Sequence, residues 1–196
     1  MKARKVKGLD PDGAFEQNAR RIVEVRLDEL ASLGSKALEA DAVEELHDTR
    51  IAAKRLRYVL ELTGAAFSGR AAGDGARVAR GLQDLLGEIH DCDVMLPRIR
   101  EHADGLRAED VAAVRLYAER PAADLEPEAA LHARHLARYR GLETLATYLT
   151  ARRELLFERF VREWKALERR GFQTKLLDDL SRAAPAPADP EDAGAP

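Results

Sequence analysis

Between Glu44 and Leu62 two kinds of residue recur at helical spacing on two different faces, and no other stretch constrains the fold as strongly. At about 100° per residue, His47, Arg50, Lys54 and Arg57 fall within roughly one quarter of a helix circumference, while Leu46, Ala53, Leu56 and Leu60 form a separate apolar stripe. One α-helix therefore packs a core with one side and displays a ridge of three cations and a histidine with another. Cations three or four positions apart repel one another unless something anionic accepts them, and no acid interrupts the row before Glu61. The acceptor is either an anionic ligand or a set of carboxylates on neighbouring helices, with Asp91 and Asp93 as candidate partners.

The surrounding composition extends the helical reading to the whole chain. Ala, Leu, Arg and Glu dominate, only 5% of residues are aromatic and β-branched runs are rare, so helix formers prevail wherever packing leaves a choice. A length of 196 residues suits one domain with tails. The formal net charge of -3 gives no whole-molecule attraction for polyanions, so any such binding must come from local clustering. Cys92 is the single cysteine and cannot form an intramolecular disulfide, which favours a cytoplasmic location. No stretch approaches the roughly 18 apolar residues of a membrane span, and the basic start is followed by Gly8-Leu9-Asp10-Pro11-Asp12 rather than an apolar signal core; neither export nor membrane insertion is expected.

Helix signals divide the chain as follows. Residues 1–11 form a basic arm with Lys2, Arg4, Lys5 and Lys7, read as solvated first and as an aid in holding an anion second. Asp10-Pro11-Asp12 is a capping signal, after which Phe15, Ile22, Val25 and Leu30 space out a first helix ending near Gly34. The ridge helix opens at Asp41 and runs to about Phe67 unless Gly64 stops it, and Ser68 to Gly75 is a turn. A third helix carries Val78, Leu82, Leu85, Leu86, Ile89 and Val94 inward; Pro97 is expected to kink or end it, with a further short helix over 106–119. Pro121 and Pro127 bracket a linker, and Leu131 through Leu167 mark a long helix, interrupted or not at Gly141, that ends at Gly171 before a short helix over 172–182. The expected architecture is all-α: an antiparallel four-helix-type bundle with additional short helices, a single helical domain over 12–182, and a disordered Ala/Pro-rich tail over 183–196.

Several residues invite chemistry. Arg grips phosphate oxygens in a bidentate fork, Lys acts as a point charge and His donates one or two hydrogen bonds, so the ridge, about 15 Å from His47 to Arg57, suits an extended polyanion. Arg55 lies about 100° from Lys54, outside the row, and either reaches a ligand from the flank or faces solvent. On the third helix Gln83, Gly87, His90 and Val94 share a face; Gly87 costs about 1 kcal/mol against Ala, which a close helix approach or a reserved ligand space would explain. His90 alone reads more readily as a structural histidine. Arg138, Leu145, Arg152 and Arg159 recur every seven residues with Arg153 and Arg162 flanking, either as a second basic wall or as an exposed, acid-balanced face. The pairs His47-Asp48 and His90-Asp91 raise a metal-dependent phosphohydrolase as an alternative, but adjacent helix residues point about 100° apart and the cations beside His47 repel a divalent ion. His132-x-x-His135 lacks the further ligands of a zinc set. No Gly-rich phosphate loop, Gly-x-Ser-x-Gly elbow or Cys-x-x-Cys pair occurs, so no catalytic residue, metal ligand or cofactor is assigned.

Two segments taken together carry a resemblance. Leu46-His47-Asp48-Thr49-Arg50-Ile51-Ala52-Ala53-Lys54-Arg55-Leu56-Arg57-Tyr58, followed by Leu82-Gln83-Asp84-Leu85-Leu86-Gly87-Glu88-Ile89-His90-Asp91-Cys92-Asp93-Val94, resembles the CHAD family, the conserved histidine α-helical domains. With Gly141 through Trp164 resembling the family's closing helix, the likeness covers roughly residues 14 to 170. It implies binding of inorganic polyphosphate by basic residues of a helical bundle, and an association with triphosphate-handling tunnel enzymes. His47, Arg50, Lys54, Arg55 and Arg57 become polyphosphate ligands on that basis, His90 a contributor, and Arg138, Arg152, Arg153 and Arg159 additional contacts. A typical member has two bundles, each with its own basic motif, whereas this chain has one copy, most like the second; homodimerisation would rebuild the pair.

The expected function is therefore non-catalytic polyphosphate binding in the cytoplasm, with association to polyphosphate granules. The alternatives are the metal-dependent phosphohydrolase and a protein-interaction or nucleic-acid-binding module. Single-stranded nucleic acid is disfavoured because aromatic side chains are sparse and no stacking platform is expected near the ridge.

Overall fold

A computed structural model describes residues 2–117 and 127–182, and these contain helices and turns without strands. The helices are α1 (Phe15–Gly34), α2 (Val43–Thr63), α3 (Ala71–Tyr117), α4 (Leu136–Arg169) and α5 (Phe172–Ser181), with short 3-10 turns at Gly64–Ala66 and Pro127–His132. The chain falls into two compact units, one built from residues 2–86 and 161–182 and the other from 87–117 and 127–160. Pro121 and the tail expected over 183–196 lie outside the described residues.

In the first unit α1 packs on α2 and on α5. The expected stripe of α2 is buried at Leu46, Ala53, Leu56 and Leu60, joined by Ala52 and Thr49. On α1 the core face differs from expectation. Ala19, Val23, Leu27 and Leu30 are buried, whereas Phe15 is 64% exposed and Ile22 and Val25 are only half-buried. The apolar residues of α1 support two overlapping faces, and the one chosen also buries Glu29.

The start of α1 is also built differently from the expected cap. Ala14 precedes the helix with no side-chain cap, while the Asp10 carboxylate accepts the Asp12 N–H at 3.1 Å and the Asp10 carbonyl accepts the Gly13 N–H at 3.1 Å. Asp10 therefore shapes the turn before the helix rather than its first turn. Gly34 ends α1 directly against the indole of Trp164, where a Cβ would overlap the ring. Gly34→Ala is expected to destabilise the chain by about 1–3 kcal/mol through overpacking, read as a lower urea midpoint with an unchanged slope.

In the second unit α3 runs on without ending at Pro97, and 106–117 belong to it rather than to a separate helix. An interior proline costs about 3 kcal/mol. Leu96, Ile99, Ala103 and Leu106 continue the buried face across it, and Leu96 and Ile99 pack with Ala146, Leu142 and Leu149 of α4. Helix α4 passes through Gly141 uninterrupted and starts only at Leu136, leaving Leu131 in the preceding turn. Before it, buried His135 donates its backbone N–H to both carboxylate oxygens of buried Asp110, at 3.2 and 3.1 Å, with its ring Nδ1 3.0 Å from the same group. This explains His135 as a structural clasp between α3 and the start of α4.

Candidate functional site

Helix α2 forms because its core stripe is continuous and Gly64 follows its last buried residue, Thr63. That register sets the ridge. Arg50 is half-buried, Lys54 exposed and Arg57 half-buried, and His47, also half-buried, is engaged with neighbouring groups. Among the described residues neither Arg50 nor Lys54 has a carboxylate within ion-pair distance, and Nε of Arg50 is buried without a hydrogen-bond acceptor. A buried donor left unsatisfied costs about 1–3 kcal/mol. Asp93, one of the two candidate partners, is bound by Arg153 within the second unit.

Glu29 and Glu61 both approach basic residues of α2. Glu29, only 1% exposed, receives Arg26 Nη1 at 2.5 Å on one oxygen and Arg55 Nη1 at 3.1 Å on the other. Arg55 is thereby drawn toward α1 and is half-buried rather than turned fully to solvent. Glu61 is held by Arg80 at 2.7 Å, while Arg57 Nε stands 3.8 Å from the same oxygen, an ion pair without a hydrogen bond. The hydrogen bond to Glu61, and then its charge, raise the Arg80 pKa above the usual arginine value. Arg80 thus takes the direct bond and leaves the Arg57 donors less committed.

Tyr58 modifies one expectation. Its ring is 44% exposed and close to the ridge, with the Arg57 guanidinium 4.5 Å and the Lys54 ammonium 5.8 Å from its centroid. Sparse aromatic composition does not exclude a single ring at this position, and here the ring is occupied by the cations themselves.

The remaining predicted residues lie in the second unit. His90 is half-buried on α3 and engaged. Arg152 binds Glu88, and Arg153 donates from Nε to Asp93 at 2.8 Å with its guanidinium 5.8 Å from the Phe157 ring. Arg153 Nη2 is buried without an acceptor. Arg138 and Arg159 are exposed, and Arg159 is engaged. Gln83, absent from the predicted set, is half-buried on α3 in the first unit with its side-chain carbonyl unpaired. Its place beside Gly87 and His90 on one α3 face was the available signal.

A cavity of about 430 Å³ in the first unit, walled by Leu27, Leu30, Leu82, Trp164 and Phe172, has no cationic side chain in its lining and offers nothing to a polyanion. Among the described residues, no group of three or more His, Cys, Asp or Glu side chains is placed to hold a metal ion. No described helix is long and apolar enough to cross a membrane.

The family model described as the CHAD domain matches residues 3–100. The chain belongs to the CHAD family. No curated protein and no solved structure matches it. The CHAD match takes in the basic arm, α1, α2 and α3 as far as residue 100, so the ridge, Arg55, Gln83 and His90 lie inside it. Arg138, Arg152, Arg153 and Arg159 lie beyond it, and the match is shorter than the span of roughly 14 to 170 expected from the motifs.

Proposed function

We propose that this CHAD protein binds inorganic polyphosphate, or a similar phosphate-rich chain, along α2 without turning it over. The observation that carries the reading is Arg50: a half-buried guanidinium whose buried Nε has no acceptor, in a row with Lys54, which has no carboxylate partner among the described residues. Arg57, with its long ion pair, completes a row of donors that successive phosphates of one chain would satisfy. His47 and His90 add hydrogen bonds, and Arg55 meets the chain from the flank. Membership of the CHAD family supports the choice of polyphosphate over other polyanions.

Arg138, Arg152, Arg153 and Arg159 are additional contacts in the same reading. Pairing of two copies, which light scattering reads directly, would supply a second ridge. A triphosphate-handling tunnel enzyme is the proposed partner, and the cytoplasm with its polyphosphate granules the proposed location.

Titration with polyphosphates of defined lengths, beside pyrophosphate and RNA, tests the proposal. Affinity is expected to rise with chain length and to fall steeply with salt, log K changing with log salt by a slope of about -2 to -3 for three or four neutralised phosphates. Absence of binding overturns the reading. RNA binding that polyphosphate cannot displace would favour a nucleic-acid module, and phosphate release dependent on a divalent ion would favour a phosphohydrolase.

A further inference from the structure

We infer that the N-terminal arm is a second bank of the polyanion-binding surface, with Lys2, Arg4, Lys5 and Lys7 as its contacts and Glu29 as the joint that fixes it beside α2. The inference rests on the proposed function and extends it to the basic arm, whose charges alone leave a solvated segment and an anion contact both open.

The arm is held by its backbone. The Arg4 N–H donates to Glu29 Oε1 at 3.1 Å, Arg26 donates to the Arg4 carbonyl at 2.9 Å, and Arg21 donates to the Lys7 carbonyl at 3.3 Å. Farther along, Asn18 closes two bonds with the Asp10 backbone, at 2.6 and 2.9 Å. As the arm runs back from Asp10 to Arg4, its partners advance along α1 from Asn18 to Glu29. That stretch of helix rises about 16 Å at 1.5 Å per residue. Six arm residues span at most about 20 Å, so the arm is nearly extended.

Its four basic side chains take no part in these bonds. Ala3 and Val6 are half-buried, whereas Lys2, Arg4, Lys5 and Lys7 are exposed. Among the described residues none of the four has a carboxylate within ion-pair distance. A basic terminal segment gains entropy and relieves charge repulsion by remaining loose. Here a buried carboxylate and two arginines of α1 hold it in one course, with four cations facing outward.

The same joint sets the arm next to the ridge helix. Arg55 Nη1 and the Arg4 N–H are both 3.1 Å from Glu29 Oε1, which places the two donors no more than about 6 Å apart. Cationic surface therefore continues from α2 through Arg55 onto the arm. A long polyphosphate engages both rows, whereas a short one is satisfied by the α2 ridge alone.

The test compares the unaltered chain with the variant Lys2→Gln, Arg4→Gln, Lys5→Gln, Lys7→Gln, titrated with long-chain polyphosphate and with tripolyphosphate. The variant keeps the arm's backbone bonds, and circular dichroism checks that helicity is retained. The long chain is expected to bind at least about tenfold more weakly to the variant, with a salt slope shallower by about 3 because the arm's four contacts add to those of the α2 ridge, while tripolyphosphate binds equally well to both. Equal long-chain affinity and slope in the two proteins, or an equal loss for tripolyphosphate, overturns the inference and leaves the proposed function standing. If the unaltered chain binds neither ligand, both fall.

Discussion

Replacing Arg50, Lys54 and Arg57 together with alanine is expected to abolish polyphosphate binding, a loss of at least about 100-fold near 0.1 M salt, with helicity unchanged. Hydrogen bonds to charged groups contribute about 1.5–3 kcal/mol each, and screening at the exposed Lys54 reduces its share, so two decades is a conservative total. The fold should tolerate the change because the core of α2 is its other stripe, Leu46, Ala53, Leu56 and Leu60. Glu61 keeps its bond to Arg80 after Arg57 is removed, so no carboxylate is stranded. Alanine also removes the buried Nε of Arg50, a donor without an acceptor. Calorimetric titration beside circular dichroism checks both halves, and unchanged affinity in the triple variant would sink the proposed site.

Glu29→Ala should act on stability instead, lowering the unfolding free energy by about 3–5 kcal/mol. Glu29 is buried between Arg26 and Arg55, whose side chains are themselves only 12% and 26% exposed. Removing the carboxylate leaves two poorly hydrated guanidinium groups facing one another and frees the Arg4 N–H. The control lies on the same helix: Glu24 pairs with Arg21 at 2.6 Å, but both are exposed, so Glu24→Ala should cost under about 1 kcal/mol. Urea denaturation distinguishes the two, and equal small losses would show that Glu29 is not the joint described.

The ridge and core stripe of α2 depend on local periodicity, and both are where the spacing put them, in a helix stopped at Gly64. The acids near the ridge could not be read in this way. Glu29 meets Arg4 and Arg55 from 25 and 26 positions away, and Arg80 reaches Glu61 across 19, distances at which helical period carries no information.

Pro97 misled for a related reason. Its cost is local, but the burial that outweighs it comes from tertiary packing around Leu96 and Ile99. On α1 the largest apolar residue, Phe15, drew the expected face toward itself, although small Ala19 allows the closer contact. Nothing in Lys2 to Lys7 beyond its charge announces that distant side chains bind its backbone.

Glu61 gives the last position of the ridge a threshold. Any anion arriving at Arg57 competes with a carboxylate already 3.8 Å away and kept in place by Arg80. A single small anion, such as chloride or acetate, must displace that contact unaided. Under the proposed function, a chain held at Arg50 and Lys54 would reach Arg57 at high effective concentration and outcompete Glu61 without greater intrinsic affinity. The carboxylate at the end of the row would then act as a valence filter, making the protein count charges before it commits its last arginine.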